Sequence, residues 1–212
     1  MNAWDESYRQ DVPPPWDIGR PQPEFVRLVE SGIVTGRVID VGCGTGENAL
    51  MAAAHGLEVV GVDVARTAVE QAQAKAAERG LAAAFHVWDG LELDGLVELM
   101  GAFDSAIDSG VFHTFSDEDR PAYVAGVAAA VQPGGRLFLM CFSEREPDWG
   151  GPRRVTQAEI RAAFSAERGW AVEEIRGARF ATNHPEGGSH AWLATIRRTL
   201  ARDARQATVA RR

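Results

Sequence analysis

The chain has 212 residues, 45% hydrophobic and 8% aromatic, enough for one domain with a buried core and nothing to suggest two. Its formal charge of −8 is uneven: residues 197–212 hold six arginines against one aspartate, net +5, which leaves −13 on residues 1–196. So acidic a body disfavours a polyanionic nucleic-acid partner, no apolar run approaches the roughly 18 residues of a membrane span, and the N-terminus lacks a basic region followed by an apolar stretch. A cytoplasmic location is therefore expected. The two cysteines, Cys43 and Cys141, offer neither a disulfide framework nor a CxxC metal site and read as small buried hydrophobes.

Residues 1–24 are organised by the run from Pro13 to Pro23, in which five of eleven positions are proline. Such a run bars regular structure, yet Trp16 and Ile18 would be costly in a free arm, so the segment is expected to pack across the body as a lid. From Glu24 to Ser31, apolar positions 25, 28 and 29 and the stop at Gly32 predict a two-turn helix. Residues 37–41 read as a strand that runs into Gly42-Cys43-Gly44-Thr45-Gly46 and then a helix over 47–55. Glycines at alternate positions let the backbone turn sharply and lie against a ligand, with free N–H groups facing it. A second strand, 57–63, ends in Asp63, about 20 residues after the first glycine. In a Rossmann-like βαβ unit an acid there accepts hydrogen bonds from ribose hydroxyls. The dinucleotide fingerprint would place its third glycine at 47; Glu47 stands there instead, and a carboxylate at that turn suits a ligand without phosphates.

Further along, an alanine-rich helix over 65–79 ends at Gly80, and a third strand follows at 83–88. A fourth strand covers 103–108, a helix 117–131 stops before Pro133-Gly134-Gly135, and 136–142 is a fifth strand. The last third reads as a helix over 156–166, a strand from 170 to 176 or longer, and a strand over 190–197. Strands alternating with helices demand an α/β fold, a doubly wound parallel sheet with right-handed crossovers. Its ligands should sit beyond the carboxyl ends of the strands.

Asp40-x-Gly42-x-Gly44-x-Gly46 resembles the first motif of class I S-adenosylmethionine-dependent methyltransferases, and Asp63 matches their ribose-binding acid. The resemblance covers residues 36 to about 143. It implies a Rossmann-like, seven-stranded, mostly parallel sheet with an antiparallel final strand. It also implies S-adenosyl-L-methionine as cofactor, with S-adenosyl-L-homocysteine as product. Contacts are then expected from Gly42, Cys43, Gly44 and Gly46, from Asp63 and Val64, from Trp88 and Asp89 toward the adenine, and from Asp108. The Trp16-Asp17-x-Gly19-x-Pro21 pattern is similar to the N-terminal segment of thiopurine, halide and thiol methyltransferases and of actinobacterial heterocyclic-toxin (quinolone) methyltransferases, where it covers cofactor and substrate. Trp16 joins the cofactor contacts on that ground. The chain divides accordingly into a lid, 1–24, a methyltransferase domain, 25–196, and a flexible basic tail, 197–212.

After the fourth strand stands Asp108-Ser109-Gly110-Val111-Phe112-His113. Methyltransferases of adenine or amide nitrogen carry a Pro-Pro pair here, which this chain lacks; the Asp-x-Gly-x-Phe-His pattern is similar to the small-molecule branch. With an ordinary pKa of about 6.5, His113 is a candidate base for an acceptor hydroxyl, with Asp17 holding its tautomer. The alternative is a histidine that only hydrogen-bonds a neighbouring loop. His184 and His190 flank a glycine-rich loop beside the substrate, with no third ligand to make a metal site. Arg153 and Arg154 either touch an acidic substrate group or are solvated. The expected reaction is methyl transfer, without metal, to a small apolar aromatic acceptor at a hydroxyl oxygen. A thiol or nitrogen acceptor is the alternative within the class. From other classes, a nicotinamide oxidoreductase is opposed by the glycine spacing and Glu47, and a non-catalytic S-adenosylmethionine-binding module differs in consuming no cofactor.

Overall fold

The structure is a computed structural model that describes residues 3–183 and 188–199. His184 and the tail beyond 199 lie outside the described residues. Seven strands form one sheet in the order β3-β2-β1-β4-β5-β7-β6. They are β1 (Arg37–Val41), β2 (Glu58–Asp63), β3 (Ala83–Val87), β4 (Phe103–Ser109), β5 (Val131–Phe142), β6 (Trp170–Phe180) and β7 (Ser189–Arg198). β1 pairs in parallel with β2 and β4, and the ladder continues in parallel to β3 and β5. β7 runs antiparallel between β5 and β6. The expected mixed sheet is therefore present, and the strand order reverses between β1 and β4, where open α/β sheets leave a crevice.

Helices cover both faces because the central strands are apolar on both sides. Phe25 of α2 (Pro23–Glu30), Leu50 of α3 (Glu47–Ala54) and Val69 of α4 (Arg66–Arg79) pack with Val38, Ile107 and Met140 on one face. Leu93 of α5 (Leu93–Met100), Tyr123 of α6 (Arg120–Ala130) and Ile160 of α7 (Gln157–Ala163) pack with Ile39, Val41 and Leu139 on the other. α7 begins in a capping box: the Glu159 N–H donates to Thr156 Oγ1 (3.1 Å) and the Thr156 N–H to Glu159 Oε2 (2.8 Å). Cys43 and Cys141 are buried free thiols, as composition suggested.

Three features depart from the sequence expectation. A short helix, α1 (Ala3–Ser7), precedes the prolines where no regular structure was expected. α5 was not foreseen, because Gly95 interrupts its pattern; a Cβ there would lie 3.3 Å from Trp88 Cζ2, so the glycine makes room for the indole. β5 begins at Val131, ahead of Pro133-Gly134-Gly135: an irregularity in the β4–β5 register, between Phe103 and Ser105, absorbs the extra residues.

Gly42 sits at the end of β1 with φ +65°, and a Cβ on it would come within 2.0 Å of Val111 Cγ2. Left-handed backbone and overpacking against a stiff β-branched side chain add up. Gly42→Ala is therefore expected to lose about 2–4 kcal/mol in denaturant melts, and pairing it with Val111→Ala should recover part of that loss. A strictly additive double mutant would show that Val111 is not what the new methyl meets.

Candidate functional site

The glycine turn after β1 and the acid after β2 are joined directly. The Gly44 N–H donates to Asp63 Oδ2 at 2.9 Å and the Ala65 N–H to Oδ1 at 2.8 Å. Burial pushes the Asp63 carboxyl up, and these N–H groups oppose the push. Two of its roughly four acceptor positions are taken, which leaves others for sugar hydroxyls. The three glycines divide their work. Gly42 and Gly46 are close-packing positions, against Val111 and against Ala72 and Phe85, while a Cβ on Gly44 would meet the Tyr8 hydroxyl at 2.8 Å. Gly44 alone of the three faces the N-terminal arm.

That arm lies across the turn. Asp5 accepts from the Thr67 N–H at the start of α4 (2.7 Å), and this bond holds its carboxyl below the usual range. Trp4 and Tyr8, four apart on and just after α1, bracket Trp16: Trp4 and Trp16 meet edge-on at 5.7 Å, and the Trp16 indole N–H donates to Tyr8 Oη at 2.9 Å. Farther on, Gln22 exchanges two 2.9 Å bonds with the Ala181 backbone beyond β6, and the Asn183 N–H donates to Pro15 O at 2.9 Å. Sequence reasoning picked out Trp16 and missed Tyr8; its i,i+4 spacing from Trp4 was the available signal.

Asp17 does not reach His113. Its Oδ1 accepts from Thr45 Oγ1 (3.1 Å) and from the Gly19 N–H (3.3 Å), because the arm turns toward the start of α3 while His113 lies past β4 against β5. Glu47 also differs from expectation. Burial raises its carboxyl, but Arg79 and Lys75 of α4 bond it at 2.8–3.0 Å and bring it below the usual range. It ties α3 to α4 and is not a ligand selector.

Asp108 is fully buried, and burial pushes it up to about 6. It accepts from Tyr123 Oη at 2.6 Å, from the Val111 N–H at 2.7 Å and from the Phe112 N–H at 3.1 Å. It therefore clasps the loop after β4, and these three donors take most of the acceptor positions from which a cofactor contact was expected. His113 follows in a 3₁₀ turn, Phe112–Thr114, and is 5% exposed. Its Nδ1 accepts from the Phe142 N–H (2.9 Å), and its ring stacks on Phe142 at 4.5 Å and faces Phe180 at 5.9 Å. Burial, then Arg120 and Arg154, push its pKa down to about 3. Of the two readings open for this ring, a hydrogen bond to a neighbouring segment is what Nδ1 makes.

Around the mouth, Trp88 is half-buried and donates from Nε1 to Glu92 O (2.7 Å), and the exposed Asp89 accepts from the Leu91 N–H (2.9 Å). Val64 is half-buried between β2 and α4. Neither arginine of the pair is simply solvated. Arg153 bridges Asp117 and Glu159, and Arg154 donates to the backbone of Gly150 and Pro152 beneath Trp149, 4.7 Å from its ring. Among the described residues no group of three metal-ligating side chains occurs, and His190 pairs its Nε2 with Arg179. An open groove of about 530 Å³, lined by Arg27, Arg145, Arg179 and Phe180 among others, lies toward β6, away from the glycine turn. Tyr8 and Trp16 fill the space over the turn itself.

Asp40 was quoted only as part of the motif, yet it is the residue that best fits a cationic cofactor. It is 0% exposed, and neither carboxylate oxygen has a hydrogen-bond partner among the described residues. Burial, then Asp108 and Asp63 nearby, push it up to about 8; the Ala49 N–H opposes that push from too far off or too oblique an angle to make a hydrogen bond. An ammonium or sulfonium group bound in this crevice would meet a carboxylate that otherwise goes unpaired. The residues present therefore fit S-adenosylmethionine.

The sign of the pH dependence follows. A carboxyl raised to about 8 binds a proton when folded and not when unfolded, so stability falls as pH rises toward 8. His113, depressed to about 3, acts oppositely below about 6.5. Between pH 6.5 and 8 the ligand-free protein should thus lose up to about 1.4 kcal/mol per pH unit, and Asp40→Asn should flatten that slope in denaturant melts. A wild-type slope unchanged by the substitution would place the titration elsewhere.

Comparison with known proteins agrees with this geometry. A family model described as a methyltransferase domain matches residues 38–135. The 2-heptyl-1-hydroxyquinolin-4(1H)-one methyltransferase of Mycobacteroides abscessus is 37% identical over 191 residues, 86% of this chain and 82% of that one. Probable thiol methyltransferase 2 of Arabidopsis thaliana is 30% identical over 74% of this chain and 69% of its own. A solved structure concerned with conversion of a disulfide bond into a thioacetal group during echinomycin biosynthesis superposes with a TM-score of 0.83 at 34% identity, over 99% of this chain and 98% of that one. With β1 ending in Asp40 and the glycine turn, β2 in Asp63, and a hydroxyquinolone methyltransferase aligned over most of both lengths, the chain belongs to the S-adenosylmethionine-dependent methyltransferases.

Proposed function

We propose that the protein transfers a methyl group from S-adenosylmethionine to a small apolar aromatic or heterocyclic acceptor, at a hydroxyl oxygen. The observation that carries this is the aromatic wall beyond β4 and β5: Phe142 and Phe180 flank His113, and Trp149 extends the wall edge-on to Phe142, with Arg154 over both of those rings. Such a lining suits a flat apolar body with one polar atom. The 37% identity to a methyltransferase named for a 1-hydroxyquinolone supports the choice of oxygen.

The cofactor supplies an already activated methyl group, so the chain's work is alignment and exclusion of water. Asp63 would take the ribose hydroxyls on its remaining lone pairs, and Asp40 the cationic end. Trp88 and Asp89 stand where the purine is expected, with Val64 and the backbone of Cys43 and Gly44 between. Residues 1–24 act as the lid, Tyr8 and Trp16 being the side chains that close over Gly44. A thiol acceptor is the second reading, favoured by the 30% identity to a probable thiol methyltransferase and the 34% identity to the thioacetal-forming structure.

Calorimetry should show micromolar binding of S-adenosylhomocysteine, and Asp63→Ala should weaken it by ~1.5–3 kcal/mol; binding of NADH alone would sink the assignment. Hydroxyquinolines and phenols, assayed beside thiols with product identified by mass spectrometry, should be the acceptors turned over. Methylation confined to the thiols would replace oxygen by sulfur. Removing the lid's contacts with Tyr8→Ala and Trp16→Ala should weaken the nucleoside and slow turnover. Unaltered binding and kinetics in that folded double mutant would show the arm to be no lid.

A further inference from the structure

A hydroxyl that accepts a methyl group must lose its proton, and the orientation of His113 bears on where that happens. The Phe142 N–H is buried and needs an acceptor, which His113 Nδ1 provides at 2.9 Å. Turning the ring over would put a C–H edge against that N–H and leave it unpaired, so the orientation is fixed by the backbone of β5. A neutral imidazole has one donor and one acceptor nitrogen; with Nδ1 accepting, the proton is on Nε2. Nε2 points past Gly110, where a Cβ would lie 3.4 Å away, and has no hydrogen-bond partner among the described residues. Phe142 and Phe180 flank the ring. The charged groups that act on it are Arg120 from α6 and Arg154 from the segment after β5, both positive.

We propose that His113 is the hydrogen-bond donor, through Nε2–H, to an acceptor bound as its oxyanion, and not the base that generates it. This rests on the oxygen-acceptor reading and names its substrate class. The acceptor is an aromatic or N-heteroaromatic hydroxyl acidic enough to ionise near neutral pH, such as an N-hydroxy heterocycle or an electron-poor phenol. The proton leaves to solvent before binding. The acceptor oxygen then forms its bond to the methyl carbon as the carbon–sulfur bond breaks, its electron pair goes to sulfur, the sulfonium becomes a neutral thioether, and the charges of anion and cation cancel. Two arginines beside the ring favour an anion there and disfavour a second proton on the imidazole, which at about 3 is far too weak a base for a neutral hydroxyl. Because the oxygen loses charge on the way to the transition state, a donor bond to it is strongest in the bound ground state. His113 accordingly acts on acceptor affinity more than on the chemical step.

The test uses the full chain with S-adenosylmethionine and a series of phenols and hydroxyquinolines of graded acidity. kcat and KM are measured against pH for wild type, His113→Gln, which keeps an N–H donor, and His113→Phe, which keeps only the shape. The expected wild-type kcat/KM rises with pH along one limb whose midpoint moves with the acceptor's own pKa. His113→Phe should raise KM for ionised acceptors about 10- to 100-fold with little change in kcat, and His113→Gln should restore much of the affinity. Nitrogen-15 NMR of the wild type should show the Nε2–H tautomer at neutral pH. A limb fixed at one pH for every acceptor and abolished in both variants, or an Nδ1–H tautomer, would overturn the proposal. Should His113→Phe fail to fold, the wild-type profiles, His113→Gln and the tautomer still decide. Failure of the oxygen reading has a separate signature: S-adenosylhomocysteine binds, thiols are methylated, and no hydroxyl in the series is, which overturns this proposal with it.

Discussion

The 2.9 Å bond from the Gly44 N–H to the Asp63 carboxylate is the joint on which the rest of the site hangs. It ties the turn after β1 to the end of β2, and Ala65, on the other oxygen, carries the tie to the start of α4. Asp5 accepts from the Thr67 N–H in the first turn of that helix, so the N-terminal arm is referenced to the same corner. Gly42 and Gly46 let the turn sink between Val111 on one side and Ala72 and Phe85 on the other. The backbone around Gly44 is thereby left as the part of the turn on which Tyr8 rests, and through Tyr8 the aromatic cluster of the arm.

Close beside that joint the fold gathers negative charge at a cost. Asp40, Asp63 and Asp108 lie at the ends of three adjacent strands, all with carboxyls raised by burial, and Asp108 and Asp63 raise Asp40 further. Only Asp108 is well supplied with donors. An arrangement tuned for the stability of the empty protein would not leave Asp40 unpaired at 0% exposure. It is the kind of local destabilisation that a cationic ligand would remove, with the stability recovered on binding.

The sheet was legible because strand–helix alternation and the glycine run are local signals, and Asp63 because strand ends can be located by counting. What the sequence withheld was partnership. Asp17, Glu47 and Asp108 each sit where a ligand could use them, but whether a carboxylate meets ligand, hydroxyl or guanidinium depends on which helix faces it. Here Thr45, Lys75 with Arg79, and Tyr123 with two backbone N–H groups decide the matter. α5 was hidden for a similar reason, its Gly95 serving an indole from another element. Asp40 stood in plain view inside the motif; its lack of a donor can be seen only once α3 and β4 surround it.

The mouth beyond β4 and β5 poses an opposite electrostatic problem to the crevice. Phe142, Phe180 and Trp149 would suit the aromatic acceptor proposed above but make a poor solvent for an oxyanion. In a low-dielectric wall, fixed dipoles and nearby cations count for more than they would in water. Arg154 is held under Trp149 by its bonds to the Gly150 and Pro152 carbonyls, and Arg120 lies over the Phe112 ring, 4.5 Å from its centre, so both charges are anchored. Between them stands an imidazole that the backbone of β5 orients with its Nε2 toward Gly110. Burial is the main reason the ring stays neutral and the two arginines add to it, so the positive surroundings that would favour an ionised acceptor also work against a second proton on His113.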